Sequence, residues 1–459
     1  MGCPPSSDFL LPSRYHGVFV VIVTVIVYIP VGGQLQSFGV FVEKLNEDFC
    51  PYDCLQLLSW IGALSFGINR LFCWLIVSLQ KRLPTCLLFF VGVILSSAAM
   101  TLSSFITDLS WLFLTYCVVF GVGSSLVMNS PYALIESYFP SSHKYHILAT
   151  SLMNVGSPVG SMLMNPLSAH LDLVAPNTWR DTMRIYGGIM LVVGLLCNII
   201  MRKRTEMPED ERTPQQYEDL DGNSGHHYVG CTARLITDTC LWTTGIFLLS
   251  FAIYVPKVHF MQYMESIKMD LGVAAMCMSY EGMAEAILSF ATAFSGDFVG
   301  RYLLFVYVLS CSVIAVCVGL LTLVRNDALI AVYCAIHGAT DGITMTLLFS
   351  ATSLLAPSGT VKNYIWAATF FVNGLGQILG IPLAGYIFDR TKSYNVVFYM
   401  AAGVFSAAAL TFLVLGLRVR RHQIEHLASQ AQELDMAPMD KTNESVDEPD
   451  NKEEEKTEH

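Results

Sequence analysis

The sequence predicts an all-α membrane protein with twelve transmembrane helices in two bundles of six. Hydrophobic residues make up 53% of the 459 residues, and 33 glycines raise the apolar share to about 60%, against about 45–50% in soluble domains. Charged residues account for 14%, against about 25% in soluble domains. A water-soluble core of this size cannot bury so much apolar surface, so we expect the chain to lie in a lipid bilayer.

Twelve apolar runs are each long enough to cross the bilayer, whose hydrocarbon core needs about 20 helical residues. The runs are rich in Leu, Val, Ile and Phe, and they contain Gly and Pro, which membrane helices tolerate. The predicted spans are Gly17–Phe41, Leu55–Leu79, Thr85–Phe105, Trp111–Ile135, Tyr145–Leu171, Ile185–Met201, Cys240–Phe260, Val273–Phe294, Tyr302–Val324, Leu329–Leu355, Ile365–Phe388 and Val396–Leu417.

Charges outside the spans predict the orientation, because Lys and Arg concentrate in cytoplasmic connections. One alternating set of connections, with the two tails, is richer in these residues and includes Lys81-Arg82 and Arg202-Lys203-Arg204. We therefore expect both termini in the cytoplasm, and we expect the plasma membrane as the location. The net charge of −11 and the lack of a basic patch exclude nucleic acid as a partner.

Two polar stretches divide the chain into predicted parts. An acidic connection follows the sixth span, and an acidic tail that ends in Glu453-Glu454-Glu455 is predicted to be disordered. The parts are a cytoplasmic N-terminal tail (1–16), an N-terminal six-helix bundle (17–201), a cytoplasmic linker (202–238), a C-terminal six-helix bundle (239–418) and the acidic cytoplasmic tail (419–459).

Regularly spaced glycines predict close contacts between helices. Small residues let helix backbones approach where lipid supplies no hydrophobic drive. Gly156 and Gly160 form a Gly-x-x-x-Gly pair in the fifth span, and Gly374, Gly376, Gly380 and Gly385 lie in the eleventh. We interpret both groups as helix-packing faces.

Short strings in a fixed order carry a resemblance to a known family. They are Ser37-Phe38-Gly39-Val40-Phe41, Ser59-Trp60-Ile61-Gly62, Tyr138-Phe139, Gly156-Ser157-Pro158-Val159-Gly160, Asn165-Pro166-Leu167, Trp179-Arg180, Tyr254-Val255-Pro256-Lys257-Val258-His259, Asp270-Leu271-Gly272 and Gly380-Ile381-Pro382-Leu383-Ala384-Gly385. From about Gly17 to Arg418 the ordered set resembles the monocarboxylate transporter family of the major facilitator superfamily. The resemblance implies the two-bundle fold and transport of small organic solutes.

The resemblance also implies positions for substrate binding. In the proton-coupled lactate and pyruvate carriers of the family, a first-span lysine and an eighth-span aspartate and arginine bind the carboxylate and the proton. The matching positions here are Gln36, Glu285 and Ser289, so two cations are absent and one carboxylate remains. This departure argues against simple lactate–proton symport. Some relatives use a single-span accessory glycoprotein, which nothing in this sequence indicates.

Two cations within the predicted spans are candidates to replace the missing anchors, because a desolvated carboxylate needs a partner charge. Lys257 stands where the family usually has tyrosine, in the seventh span, which lines the central cavity in this superfamily. Arg70 lies inside the second span. Two alternatives stay open: Lys257 reaches the outer interface with its ammonium group, or Arg70 forms a structural ion pair.

Three carboxylates in the C-terminal half are candidates for proton coupling, namely Glu281, Glu285 and Asp341. Glu281 and Glu285 are one helical turn apart and share a face. Two carboxylates so close in a low dielectric do not both ionise, so one is expected to hold an exchangeable proton. Alternatively, each carboxylate pairs with a nearby cation or faces water. The excess of acid also suits a cationic or zwitterionic solute.

Five further polar residues complete the candidate site. His259 matches a family position and either gates the outer mouth or is simply a hydrogen-bonded histidine. Asn154 and Asn373 either line the cavity or bridge helices. Glu136 and Asp297 lie near cytoplasmic span ends and are predicted to be gate or capping residues.

Together these features predict a secondary transporter that binds a small carboxylate or zwitterion between two rocking bundles near the bilayer midplane. No Gly-x-x-x-x-Gly-Lys-[Ser/Thr] loop is present, so a solute or ion gradient, with protons as a candidate, is expected to drive transport. The alternative is a non-transporting receptor or partner-binding protein on the same fold. We expect no enzyme, metal or cofactor, because no His, Asp or Cys grouping has the required spacing.

Overall fold

The computed structural model describes residues 15–38, 41, 45, 48, 49, 55–139, 143–174, 178–201, 225–299, 302–355 and 360–436. All regular secondary structure in these residues is helical, and helices occupy each of the twelve predicted spans. Ten of the helices in the described parts are long and apolar enough to cross a membrane. These findings confirm the predicted class, an all-α membrane protein.

We number the helices by span, and each number covers the segments of one span. The helices are α1 (His16–Gln36), α2 (Leu55–Leu71 and Cys73–Gln80), α3 (Thr85–Ser103), α4 (Leu109–Leu112, a π-helical Phe113–Phe120, Gly121–Asn129 and Pro131–Tyr138), α5 (His146–Leu152, a 3-10 turn Met153–Val155 and Gly156–Val174), α6 (Thr178–Asn198), α7 (Gly225–Ser266), α8 (Leu271–Val299), α9 (Leu303–Leu321), α10 (Asp327–Leu355), α11 (Thr360–Thr391) and α12 (Tyr394–Met436).

Helices α6 and α8 are not among the ten helices that are long and apolar enough to cross a membrane, because both contain charged residues. Asp181 and Arg184 lie in the first turns of α6, while Glu281 and Glu285 lie within α8. These residues lower the mean hydropathy of both helices. Because a charge at membrane depth is costly, the two glutamates of α8 require partners inside the protein.

Two helices extend beyond the predicted spans. Helix α7 begins at Gly225, inside the predicted linker, in a run without proline between Pro214 and Pro256. Helix α12 continues to Met436, so the prediction of a disordered tail is wrong for residues 419–436. This stretch is rich in Ala, Leu, Gln, Glu and Arg, which are strong helix formers. Residues 437–459 lie outside the described residues.

Helix α4 begins with a capped end. The Asp108 carboxylate accepts a hydrogen bond from the backbone N–H of Ser110 at 2.9 Å, which satisfies a free donor of the first turn. The same hydrogen bond holds the pKa of this exposed carboxyl below its usual value. The cap fixes where the fourth span starts.

The described residues up to Gly416 form one compact unit, and those from Leu417 to Met436 form a second. In the first unit, extensive contacts join α8 to α10, α7 to α11, α1 to α5 and α2 to α11. The α2–α11 contact, and the contacts of α5 with α8 and α10, connect the first six helices with the last six. The division into two six-helix bundles stays a prediction.

Glycines permit the closest of these helix contacts, as predicted. A Cβ atom on Gly160 would lie 2.0 Å from the backbone oxygen of Ile29 in α1. A Cβ atom on Gly380 would lie 2.0 Å from the backbone oxygen of Phe251 in α7. Both distances are far below van der Waals contact, so the prediction of two glycine packing faces is confirmed.

Candidate functional site

A buried charge cluster lies where α7, α8 and α10 meet. The Lys257 ammonium group donates to Asp341 Oδ2 at 2.8 Å and to Glu285 Oε2 at 3.0 Å, and it lies 3.5 Å from Glu281 Oε1. The three carboxylates are buried, and the Lys257 side chain is only 16% exposed. We refer to these four residues as the acid–lysine cluster. Its geometry excludes the alternative in which Lys257 extends to the outer interface.

The cluster contains more acid than base. Three ionised carboxylates against one ammonium group would leave an excess of two negative charges. Each uncompensated charge in a buried site costs several kcal/mol. The cluster therefore favours binding of further positive charge, either as protons or as the cationic group of a ligand.

Gln36 connects the cluster with the first half of the chain. Its Nε2 atom, at the end of α1, donates to Glu285 Oε1 at 3.0 Å. Gln36 Oε1 and Asp341 Oδ1 are buried and have no hydrogen-bond partner among the described residues. One acceptor within the cluster and one beside it are thus free to accept a hydrogen bond from a donor group of a ligand.

His337 of α10 joins the cluster, although the sequence analysis did not single it out. Its Nδ1 atom lies 2.9 Å from Glu281 Oε1, and its side chain is buried. A signal was present in the sequence: His337 and Asp341 are one helical turn apart on α10, just as Glu281 and Glu285 are on α8. Four ionisable groups on two helices therefore face one another.

Ser289 holds α8 against α10 and is not shown in contact with the cluster. Its hydroxyl donates to the backbone oxygen of Gly342 at 3.4 Å. A Cβ atom on Gly338 would lie 2.0 Å from the backbone oxygen of Glu281, and one on Gly342 would lie 2.5 Å from that of Glu285. The two helices thus approach to backbone contact beside both glutamates.

Arg70 of α2 is a second cation inside the helices and lies among aromatic side chains. Its guanidinium carbon lies 5.0 Å from the centre of the Phe370 ring of α11. The Nε atom is buried and has no hydrogen-bond partner among the described residues. No described carboxylate forms an ion pair with Arg70, so the structural ion pair that we considered is not found in this part of the chain.

The two candidate asparagines lie in bridging positions. Asn154, in the 3-10 turn of α5, pairs with the Tyr132 hydroxyl of α4, to which its Nδ2 atom donates at 3.3 Å. Asn373 of α11 is fully buried and donates to the Ser250 hydroxyl of α7 at 2.7 Å. These contacts fit the interpretation that both asparagines bridge helices.

The three predicted gate residues are dispersed. His259 of α7 is buried, and its ring lies 6.3 Å from the Tyr394 ring of α12. Glu136 lies half-buried in the last segment of α4. Asp297 belongs to α8, but its side chain lies outside the described residues. Their gating roles stay predictions.

The sequence matches the Major Facilitator Superfamily over residues 24–374, which is most of the chain. This chain therefore belongs to the major facilitator superfamily and is a membrane transporter, not an enzyme.

Its relatives within the superfamily are monocarboxylate transporters. It is 23% identical over 367 residues to monocarboxylate transporter 12 of Homo sapiens, which covers 74% of this chain and 70% of that protein. It is 23% identical over 383 residues to monocarboxylate transporter 13 of Rattus norvegicus, with 83% and 84% covered. Monocarboxylate transporter 3 of Rattus norvegicus is 26% identical over 392 residues, with 82% and 76% covered. The family resemblance drawn from short strings is confirmed.

Proposed function

We propose that this chain is a secondary transporter that carries a small organic carboxylate, zwitterionic ones included, together with protons by alternating access. The acid–lysine cluster is the observation that carries the proposal. It combines three buried carboxylates with one ammonium group in the interior of a transporter fold. Ionisable groups at membrane depth typically belong to ion or proton pathways.

Protonation of Glu285 provides a physical route for coupling. As a carboxylate, Glu285 accepts hydrogen bonds from Gln36 through one oxygen and from Lys257 through the other. A proton on Glu285 removes the charge that strengthens both contacts, and it leaves Lys257 to Asp341 and Glu281. Gln36 lies in the first half of the chain and Glu285 in the second. Protonation of Glu285 therefore weakens a contact between the two halves that rocking must change.

Arg70 is the cation that is better placed for the substrate carboxylate. Lys257 has three acidic partners, so an incoming anion would compete with each of them. Arg70 has no acidic partner among the described residues. A guanidinium group binds a carboxylate through two parallel hydrogen bonds. The neighbouring Phe370 ring offers an apolar surface for the remainder of the substrate.

Uptake into vesicles reconstituted with the purified chain tests the proposal. A panel of labelled carboxylates and amino acids is offered with and without a pH gradient that is acidic on the substrate side. We expect the gradient to stimulate uptake of at least one carboxylate. Glu285→Gln should abolish the stimulation but retain uptake at equal pH. The amide oxygen can still accept the hydrogen bond from Gln36, but the side chain can no longer titrate.

Glu265→Gln is the matched control, because Glu265 is an exposed glutamate near the end of α7. It should respond to the gradient as the unmodified chain does. Undiminished stimulation in Glu285→Gln would show that the proton binds elsewhere. Saturable binding of a panel member without any uptake would support the receptor alternative instead.

A further inference from the structure

We propose that His337 and Glu281 form a second proton-binding site, so that two protons accompany each substrate molecule. The inference rests on the proposed function, since it specifies the number of protons that the acid–lysine cluster couples to transport. The first proton belongs to Glu285. The second belongs to a residue pair for which the sequence resemblance implies no role.

The contacts of Glu281 Oε1 support this assignment. This single oxygen lies 2.9 Å from His337 Nδ1 and 3.5 Å from Lys257 Nζ. The carboxylate is therefore shared between the imidazole of His337 and the ammonium group of Lys257. When His337 is protonated, its imidazolium compensates Glu281, and Lys257 is left to Glu285 and Asp341.

Charge balance favours a second proton. With all carboxylates ionised and His337 neutral, the cluster carries two more negative than positive charges. A proton on Glu285 removes one of them, and a proton on His337 balances the other.

Within the part of the chain that the structure describes, the surroundings of His337 offer no other compensating cation. Glu281 faces it from α8, Lys257 approaches the same carboxylate from α7, and on α10 the Tyr333 ring lies 5.9 Å away while Asp341 follows one turn later. The thiols near this region belong to Cys277, Cys317 and Cys334. In the described parts of α5, α9 and α11, no charged side chain is shown in contact with His337.

His337 also has a free nitrogen for the proton. Its Nε2 atom is buried and has no hydrogen-bond partner among the side chains and backbone that the structure describes. The Nδ1 atom faces Glu281, so a proton taken up at Nε2 yields an imidazolium already paired with a carboxylate. The close α8–α10 approach at Gly338 fixes this pairing.

The proton number is measured from the substrate gradient that a fixed pH gradient supports in vesicles held at zero membrane potential. The labelled carboxylate best transported in the panel serves as the probe. At a tenfold proton gradient, two coupled protons sustain about a 100-fold substrate gradient and one sustains about a tenfold gradient. We expect about 100-fold for the unmodified chain.

The variant Glu281→Gln with His337→Gln replaces the proposed pair by two neutral amides. One lysine then faces two carboxylates, so a single proton balances the cluster, and we expect about a tenfold substrate gradient. The single variant Glu281→Gln leaves the same number of carboxylates around Lys257. It replaces the double variant if the latter cannot be reconstituted into vesicles. The control Glu265→Gln with His143→Gln removes an exposed pair of the same types and should keep the 100-fold gradient.

The outcomes separate the two proposals. A tenfold gradient in the unmodified chain, or a 100-fold gradient in the Glu281→Gln variants, would overturn the second proton site and leave proton coupling through Glu285 intact. Substrate equilibration without accumulation in the unmodified chain would overturn both.

Discussion

Lys257 and Arg70 are both cations within the helices, but Lys257 lies among carboxylates and Arg70 lies beside an aromatic ring. Lys257 contacts three carboxylates, so its charge holds the cluster together and is compensated in full. Arg70 contacts an aromatic ring and has no acidic partner among the described residues. The Nε atom of Arg70 is buried without a hydrogen-bond partner among the described residues, so a carboxylate substrate that accepts from this atom would improve the environment of Arg70.

Replacement of Arg70 should weaken substrate binding. We expect Arg70→Gln to raise the KM of the transported carboxylate by about tenfold to a hundredfold, because a charged hydrogen bond in a desolvated site contributes about 1.5–3 kcal/mol. Arg70→Lys should recover part of the loss, since it keeps the charge but not the forked geometry. Concentration-dependent uptake measures both variants.

Arg82→Gln is the matched control for Arg70, because Arg82 is an exposed arginine just beyond the end of α2. Its KM should stay within about twofold of the unmodified value, as expected for a screened surface charge. A normal KM in Arg70→Gln would rule out Arg70 as the anchor and return that role to Lys257.

At the scale of single helices, sequence spacing predicts which side chains share a face, whereas contacts between helices depend on packing. The one-turn spacing of Glu281 and Glu285 predicted a common face, and both side chains contact Lys257. The link from Lys257 to Asp341 joins α7 to α10, a pairing that no spacing rule determines. His337 was missed for the same reason, since its importance arises from the partner on α8.

The α8–α10 contact provides the element-scale prediction. A Cβ atom at Gly338 has no room against the backbone of Glu281, so Gly338→Ala should force the two helices apart. We expect a loss of thermal stability by several degrees and of most uptake, because close packing tolerates such overlap poorly. Thermal unfolding of the purified protein and vesicle uptake measure the two effects.

Gly403→Ala is the matched control, because Gly403 of α12 has no neighbouring atom within 4 Å of the added methyl group. It should leave both the unfolding temperature and uptake unchanged. Equal behaviour of the two variants would mean that the α8–α10 contact is looser than the structure indicates.

At the scale of the whole transporter, alternating access has to change the contacts between the first six and the last six helices. Arg70 and Phe370 join α2 to α11 inside the helices, and the rings of Tyr132 and Trp366 join α4 to α11 at 4.7 Å. Where α2 ends and α11 begins, the exposed Lys81 ammonium group donates to the Tyr364 hydroxyl at 3.0 Å. These contacts lie between the first six and the last six helices, and a passage opened at the end of the first unit where Lys81 meets Tyr364 requires them to separate.

A covalent link across this end should therefore arrest transport. In a chain carrying Lys81→Cys and Tyr364→Cys, we expect a reducible bifunctional thiol reagent to abolish uptake and a reductant to restore it. Each single variant, treated in the same way, should retain uptake, because only one of the two introduced thiols is then present at this contact. Mass spectrometry of the treated protein confirms the link between α2 and α11. Full uptake by protein that is shown to be linked would mean that this end stays closed throughout transport, and rocking of the two halves about the acid–lysine cluster would then be wrong.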